Sequence, residues 1–274
     1  MAPRVQSSII LSVFSTAAGS GKTLTAINIA ADMARQGYSV CLLDLDLQFG
    51  DVAHYLGLPQ TVTMAEAQVA IEQNPEIFDV NGYLARYTHR DVQFSVLLPP
   101  VKLEDAYRMD VSFLEQMVRS LGGFDFIVLD LTPVFNILNM VMLDLSTLII
   151  YLGVVDTLPA IKNYKMGYDT LRRFNYDKSK IKLVENYDKK QKVVNIQNIE
   201  RLLDEKFYFR LPYDPKAVQA SIQRKCPVVL LEEDYPLKKR YRQISELYSR
   251  DKNQQVKKEE SGEGFFRRLY HKWG

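Results

Sequence analysis

The sequence is poor in cysteine, has little net charge and contains no long apolar run. Its two cysteines, Cys41 and Cys226, belong to no CxxC pair or Cys/His cluster, so neither a zinc site nor a disulfide framework is expected and a reducing, cytosolic setting fits. The 35 basic residues nearly balance the 33 acidic ones, so any attraction to nucleic acid or membrane has to come from a local cluster. The apolar run at residues 9–14 is too short to span a bilayer and is interpreted as a buried strand.

Short β-rich runs alternate with helical segments along most of the chain. This alternation is typical of an α/β protein in which crossover helices join a mostly parallel central sheet and flank both of its faces. A hydrophobic content of 47% is enough for one large core, and Gly37 is expected to follow the first helix in a left-handed conformation. The predicted strands are residues 9–15, 40–44, 94–98, 126–130, 148–154, 181–186 and 207–211. The predicted helices are residues 23–36, 111–121, 160–174, 196–203, 215–223 and 237–248.

The composition changes near the C terminus. Residues 250–263 are charged and almost free of apolar side chains, which predicts a flexible polar linker after a domain at residues 1–249. Residues 264–274 are apolar again and are predicted to form an amphipathic helix. On a helical wheel, one face carries Phe265, Phe266, Leu269, Tyr270 and Trp273, and the opposite face carries Arg267, Arg268, His271 and Lys272.

This C-terminal helix has the pattern of a segment that lies flat in a membrane interface, with aromatic rings at the acyl boundary and bases near anionic headgroups. From residue 237 to the C terminus, eleven lysines and arginines stand against five acidic residues, so the positive charge is local. The alternative is a helix that docks on its own domain or on a partner. The polar linker favours membrane contact.

Residues 16–23, Thr-Ala-Ala-Gly-Ser-Gly-Lys-Thr, lie between a predicted strand and a predicted helix. A P-loop has this arrangement, because the backbone N–H groups of a glycine-rich turn surround phosphates at a helix N terminus. Lys22 would neutralise the β- and γ-phosphates and Thr23 would ligate magnesium, although Thr16 replaces the usual first glycine. The sequence therefore predicts a P-loop NTPase that takes ATP and Mg²⁺, with nucleotide contacts from Ala18, Gly19, Ser20, Gly21, Lys22, Thr23 and Leu24.

Aspartates stand at the ends of two predicted strands. Asp44 and Asp46 follow the second strand, and Asp130 ends the strand at residues 126–130. Magnesium bound to polyphosphate needs a carboxylate from a neighbouring strand end, beyond the threonine of the P-loop. A single aspartate in such a place is usually a turn residue or a helix cap. Two of them after a P-loop favour a metal site.

Three segments together carry a family resemblance. Residues 18–23, then 43–51 (Leu-Asp-Leu-Asp-Leu-Gln-Phe-Gly-Asp), then 125–133 (Asp-Phe-Ile-Val-Leu-Asp-Leu-Thr-Pro) resemble the MinD/ParA class of deviant Walker ATPases. Residues 44–51 look most like the CpaE/TadZ branch, the pilus-assembly localisation ATPases. The resemblance extends from about residue 8 to residue 249, with residues 182–189 and 211–214 also in family order.

Carried over by position, the resemblance implies that Asp46 orients the attacking water and that Asp130 helps to hold magnesium through water. It also implies that Asn186 reads the adenine edge, with Pro212 and Asp214 near the base. An amide offers adenine a donor and an acceptor, although an asparagine that ends a strand also forms turns. Lys22 and Asp46 are therefore the expected catalytic residues, and the expected metal site is Thr23, Asp46 and Asp130.

One position departs from the family. The signature lysine expected five residues before Lys22, which a partner subunit uses across an ATP-sandwich dimer, is Ala17 here. A methyl group cannot neutralise developing phosphate charge, so ATP binding is better supported than hydrolysis, and turnover is expected to be weak or atypical. A lysine from elsewhere, such as one in residues 162–165, is a candidate substitute.

The resemblance implies a homodimer that forms on ATP binding and lies peripherally on the inner face of the cell membrane. It further implies that this dimer positions a cell-envelope or pilus assembly machine and that an unidentified protein partner regulates its ATPase cycle. The C-terminal helix resembles the membrane-targeting helix of MinD. A ParA-like DNA-partition ATPase is an alternative, in which bases such as Lys238, Lys239, Arg240 and Arg242 contact phosphates, although a solvated helix face is the commoner role of such a cluster. The remaining alternatives are a metabolic P-loop enzyme and a binding-only ATP-locked scaffold.

Overall fold

The computed structural model describes the backbone of residues 8–188 and 194–260, and side chains up to Ser249. In this part of the chain an eight-stranded sheet has the order β3-β4-β2-β5-β1-β6-β7-β8. All neighbouring strands are parallel except β3 and β4, which are antiparallel. The strands are β1 Ile9–Phe14, β2 Val40–Asp44, β3 Ala85–His89, β4 Val92–Leu97, β5 Phe126–Asp130, β6 Leu148–Gly153, β7 Ile181–Asp188 and β8 Phe209–Pro212.

Helices cover both faces of this sheet, which confirms the predicted α/β architecture. One hydrophobic cluster joins α1, α2, α9 and α10 to the sheet, and a second cluster on the other face joins α3, α5, α6, α7 and α8 to it. The helices are α1 Lys22–Arg35, α2 Val52–Leu56, α3 Met64–Gln73, α4 Leu103–Arg108, α5 Val111–Ser120, α6 Ile137–Leu145, α7 Leu158–Arg173, α8 Ile196–Leu203, α9 Pro215–Arg224 and α10 Pro236–Glu260.

The predicted strands are all present, with ends that differ by a few residues, because their apolar side chains are buried on both faces of a parallel sheet. Strand β3 was not predicted. It joins β4 through a hairpin in which Arg90 is the residue with positive φ, at 56°, so the glycine or asparagine that usually marks such a turn is missing. Gly37 has a φ of 91°, as expected for the residue after α1.

The α10 helix is longer than predicted. Its backbone continues to Glu260, so residues 250–260 of the predicted flexible linker are helical, and the domain boundary after residue 249 stays a prediction. The predicted amphipathic helix at residues 264–274 lies outside the described residues. Within residues 8–188 and 194–260, every helix is too short or too polar to cross a bilayer.

The strand order places one crevice at the carboxyl end of β1. Strand β1 lies between β5 and β6. From β1 the sheet extends through β5 to β2 on one side and through β6 and β7 to β8 on the other. Open α/β sheets bind ligands at such a switch point, outside the carboxyl ends of the strands. Asp130 of β5 is in register with Val13 of β1 and with Asp44 of β2, so the turn after β1 meets both aspartates.

Candidate nucleotide-binding site

The turn between β1 and α1 has the backbone of a phosphate-binding loop. Gly19 and Gly21 have φ values of 66° and 88°, a left-handed conformation that glycine adopts without steric cost. Gly21 is the N-cap residue of α1 and provides no side-chain hydrogen bond to the first turn of the helix. The first N–H groups of α1 are therefore available to an anion, and the helix dipole favours negative charge there.

Side chains hold this turn from inside and from the α7 side. Ser20 Oγ donates to Ser15 Oγ at 2.8 Å, and Ser15 Oγ donates to the carbonyl of Ala17 at 2.9 Å. Thr16 Oγ1 lies 2.9 Å from the Tyr151 hydroxyl and donates to the carbonyl of Asn163 at 3.2 Å. Thr16 thus points toward β6 and α7 and can replace the glycine of the usual pattern without entering the turn.

Lys22 and Asp130 form the charged centre of the site. Burial lowers the pKa of Lys22, and the nearby charges of Asp130 and Asp46 raise it in part. Burial raises the pKa of Asp130 to about 7, against the hydrogen bond from Thr23 and the charge of Lys22. The carboxylates of Asp46 and Asp51 raise it further. The structure thus brings Lys22, Thr23, Asp46 and Asp130 together, as their positions in the sequence predicted.

Asp44, the other sequence candidate at the end of β2, has a structural role instead. Its side chain is fully buried, and it accepts hydrogen bonds from the backbone N–H groups of Asp46 at 3.2 Å and Val52 at 3.1 Å. Burial and the charge of Asp130 raise its pKa well above the usual range. A Cβ on Gly50 would lie 2.4 Å from Asp44 Oδ2. Asp44 therefore shapes the segment that carries Asp46.

The residues around Asp130 fit magnesium that arrives on phosphates. The Oδ1 atom of Asp130 is buried and has no hydrogen-bond partner among the described residues, and the Thr23 hydroxyl lies beside the same carboxylate. The described residues hold no group of three or more His, Cys, Asp or Glu side chains that could bind a metal ion alone. Magnesium typically uses few protein ligands together with phosphate and water oxygens, so this sparse arrangement is sufficient.

Two cavities meet at the turn, each of about 540 Å³. One, called the polar cavity because it contains the charged side chains, surrounds the start of α1; its walls include Lys22, Thr23, Asp46, Asp51, Tyr55 and Thr132. The other is mostly apolar and lies between α1, α9 and α10; its walls include Asn186, Pro212, Asp214, Ile222, Leu237 and Tyr241. Gly21, Leu24, Tyr187 and Val218 line both cavities. A ligand with a charged chain and a flat apolar end fits this pair.

Asn186 and Asp214 lie in the second cavity, and both are engaged within the protein. Asn186 Nδ2 donates to the carbonyl of Ser20 at 2.8 Å, and its Oδ1 accepts from the N–H of Tyr187 at 2.9 Å. Asp214 caps α9 by accepting from the N–H of Ala217 at 3.2 Å. Pro212, the last residue of β8, forms part of the same wall.

Tyr187 is a site residue that the sequence did not reveal. It follows Asn186 at an irregularity in the pairing of β7 with β8 and has a φ of 57°, which is unusual for a bulky side chain. Its hydroxyl donates to the carbonyl of Gly19 at 3.4 Å, and its ring packs edge-on against Tyr213 at 5.9 Å. The irregular pairing and positive φ are features of the folded chain, and they accompany the position of Tyr187 in the walls of both cavities.

Ala17 is exposed beside the polar cavity. Of the lysines proposed as substitutes for the missing charge, Lys165 forms an ion pair with Asp169 at 2.8 Å. Lys162 is exposed on α7 and precedes Asn163, whose carbonyl contacts Thr16.

The family model described as the CobQ/CobB/MinD/ParA nucleotide binding domain matches residues 11–228. No curated protein sequence matches the chain significantly. The fold is similar to a ParA family ATPase from Chlorobium tepidum TLS, with 16% identity over 88% of this chain and 98% of that chain and a TM-score of 0.78. It is also similar to the septum site-determining protein MinD complexed with Mg-ADP from Pyrococcus horikoshii OT3, with 17% identity over 88% and 96% and a TM-score of 0.74.

A third similar structure is cobyrinic acid a,c-diamide synthase from Mycobacterium smegmatis with bound ADP and magnesium, with 17% identity over 89% of this chain and 94% of that chain and a TM-score of 0.62. At these identities the solved structures establish a shared fold. The family model covers most of the chain, including the P-loop, the segments after β2 and β5, and the wall formed by β7 and β8. The chain belongs to the CobQ/CobB/MinD/ParA family of nucleotide-binding proteins.

Proposed function

We propose that this chain binds Mg-ATP and acts as an ATP-dependent, dimerising, membrane-associated positioning ATPase of the MinD/CpaE/TadZ type, which localises a cell-envelope or pilus assembly machine. The proposal rests first on the pairing of a polar cavity around Lys22 and Thr23 with an apolar cavity across Gly21. A triphosphate occupies the first and a nucleobase the second. The Pyrococcus MinD, which has a similar fold, was solved in complex with Mg-ADP, so a fold of this kind can hold an adenine nucleotide with magnesium.

In this proposal each polar residue has a defined task. The N–H groups of the turn and Lys22 bind the phosphates, while Asp46 orients the attacking water. Thr23 and Asp130 would hold magnesium, whose charge neutralises the phosphate oxygens when it is bound. Ala17 supplies no charge from a facing subunit, so nucleotide is held more effectively than it is hydrolysed.

Dimerisation is supported by exposed apolar side chains at the carboxyl edge of the sheet, one of which, Phe49, lines the polar cavity. Phe49 follows β2, Val134 and Ile137 follow β5, and Leu158 follows β6, so all four lie on connections that leave the carboxyl edge of the sheet. Their exposed fractions are 73%, 49%, 75% and 70%. Exposed apolar groups beside a ligand site are typical of a surface that another molecule covers. A second copy facing this edge would bury them over the nucleotide.

Membrane association rests on residues 264–274, which lie beyond the described part of the chain. Their aromatic face and basic face are the features of an interfacial helix. One short helix binds a bilayer weakly, whereas two helices on one dimer bind far more strongly because the second binding event is intramolecular. ATP would then control location by controlling dimerisation.

The contacts of the basic residues on α10 do not favour the DNA-partition alternative. Lys238 is only 8% exposed and donates to the carbonyls of Leu231 and Glu233. Lys239 forms an ion pair with Asp234 at 2.7 Å. Arg240 donates to Gln243 at 2.8 Å, and Arg242 donates to the carbonyl of Val229 at 2.9 Å. A phosphate backbone would have to displace the buried contact of Lys238 and the partly buried contact of Arg242, whereas the contacts of Lys239 and Arg240 lie at the surface.

Calorimetry of the purified chain with Mg-ATP tests the proposal. We expect one site per chain, and we expect Lys22→Ala to weaken ATP binding roughly 10- to 100-fold, the effect of losing hydrogen bonds to a charged group. Lys206→Ala is the matched control, because Lys206 is exposed on the segment before β8 and lines neither cavity. Absence of adenine-nucleotide binding, or binding that is the same in Lys22→Ala, would reject the proposal.

A further inference from the structure

The apolar cavity, which the proposed function assigns to the nucleobase, is lined by two polar side chains that the sequence did not identify as site residues. Gln219 and Gln223 are four positions apart on α9, so they lie on one face of that helix. Both line the apolar cavity, and both are exposed. Within the described residues neither side-chain amide has a hydrogen-bond partner, so both are free to bind a ligand.

The other polar side chains of this wall are committed elsewhere. The Asn186 amide holds the carbonyl of Ser20 and the N–H of Tyr187. The Asp214 carboxylate accepts from the N–H groups of Ala217 at 3.2 Å and Leu237 at 3.5 Å, which joins the starts of α9 and α10. Turning either group away from these partners would leave backbone groups unpaired, which costs about 1–3 kcal/mol for each group, so in place they offer a base only their remaining N–H group or lone pairs.

Two tyrosine hydroxyls of this wall also have partners, because Tyr187 donates to the carbonyl of Gly19 and Tyr241 is hydrogen-bonded to Thr25. Most of the remaining wall is apolar and cannot distinguish one base from another by hydrogen bonding. Leu24, Val218, Ile222, Leu237 and Tyr241 supply contact area, which favours any flat ring. Discrimination needs a donor and an acceptor at the ring edge. A glutamine amide supplies both, and it pairs with adenine in a bidentate manner through the amino group and a ring nitrogen.

We infer that Gln219 and Gln223 contact the edge of the nucleobase and set the base preference of the site, while Asn186 holds the P-loop. This inference rests on the proposed binding of ATP and names the residues that recognise its base. Replacing either amide by a carboxylate of the same shape removes the donors that a ring-nitrogen acceptor needs. A carboxylate instead accepts from the N1–H and amino groups of guanine.

The test compares three ligands on the wild type and three variants. ATP, GTP and inorganic tripolyphosphate, each with magnesium, are titrated into the wild type, Gln219→Leu, Gln223→Leu and the double variant. We expect each lost hydrogen bond to weaken ATP binding roughly three- to tenfold and to leave tripolyphosphate binding unchanged. Gln197→Leu on α8 is the control, because Gln197 is exposed and lies outside the cavity.

Two isosteric variants complete the test. Gln219→Glu and Gln223→Glu should raise the ratio of GTP to ATP affinity, which a general disturbance of α9 would not do. The inference is overturned if the double leucine variant binds ATP as the wild type does, or if ATP and tripolyphosphate lose affinity equally. In both cases wild-type ATP binding still stands, whereas a wild type that binds no ATP rejects the proposed function and this inference together.

Discussion

A Cβ atom on Gly21 would lie 2.4 Å from the side-chain nitrogen of Asn186. The two residues are 165 positions apart in the chain, yet Asn186 Nδ2 also donates to the carbonyl of Ser20, the residue before Gly21. The end of β7 therefore holds the turn in the conformation from which α1 begins. Small changes at either residue should affect phosphate binding through the other.

Gly21→Ala should weaken ATP binding on the order of tenfold, because the added methyl group displaces Asn186 and the turn it holds. Gly37→Ala is the matched control, since Gly37 has a similar φ of 91° and open space around its Cβ position. Both changes impose the left-handed conformation on alanine, at roughly 1–2 kcal/mol. Thermal melting should show a loss of stability in both variants, and a larger one in Gly21→Ala because only its methyl group meets Asn186. Equal ATP affinities would contradict the contact between Gly21 and Asn186 as the cause.

Asn186→Ala tests whether this residue positions the P-loop or reads adenine. The structure favours positioning, so ATP and GTP affinities should both fall, by roughly fivefold for one lost hydrogen bond. Asn198→Ala, on the exposed side of α8, should change neither affinity. A selective loss of ATP binding in Asn186→Ala would instead assign adenine recognition to Asn186, as the family resemblance implies.

Ala17→Lys should increase phosphate release from ATP, on the order of 100-fold if the facing subunit lacks only this charge. Ala17 is exposed, so the longer side chain needs no internal space. ATP affinity should change little, because the added charge acts mainly on the transition state. The gain should vanish in the double variant Ala17→Lys/Lys22→Ala. An unchanged rate in the single variant would point to a different cause of weak turnover.

Deletion of residues 264–274 should abolish sedimentation with anionic liposomes and leave ATP affinity intact. In the complete chain we expect sedimentation to require ATP, to weaken as salt is added, and to be poor with neutral vesicles, because the basic face is drawn to anionic headgroups. Pelleting that is absent in the full chain, or that is equal with and without ATP, would contradict a dimer-controlled membrane helix.

Some of the site could be predicted because its signals are short in range. The P-loop consists of a strand, a turn with Gly19 and Gly21, and a helix that begins with Lys22, all directly consecutive in the chain. It can therefore be identified from the sequence without knowledge of the fold. Asp130 could be added because the carboxyl ends of parallel strands meet at one edge of a sheet. Strand β3 was not predicted because the positive-φ position of its hairpin is Arg90 rather than glycine or asparagine, so the sequence carries no clear signal for the turn that pairs β3 with β4.

The sequence by itself determined that the chain is a parallel α/β protein with a phosphate-binding turn and aspartates at two strand ends, because these depend on local patterns of apolar residues, glycine and charge. Only the tertiary structure decided which polar groups are free. Asn186, Asp214 and Lys238 have side chains that can bind a ligand, yet in the fold each is hydrogen-bonded to backbone groups. For Asn186 one of these groups is the carbonyl of Ser20, 166 positions away. Gln219 and Gln223 carry no motif and remain available. The reason is physical: a hydrogen-bonding group serves a ligand only when the fold has not already satisfied it.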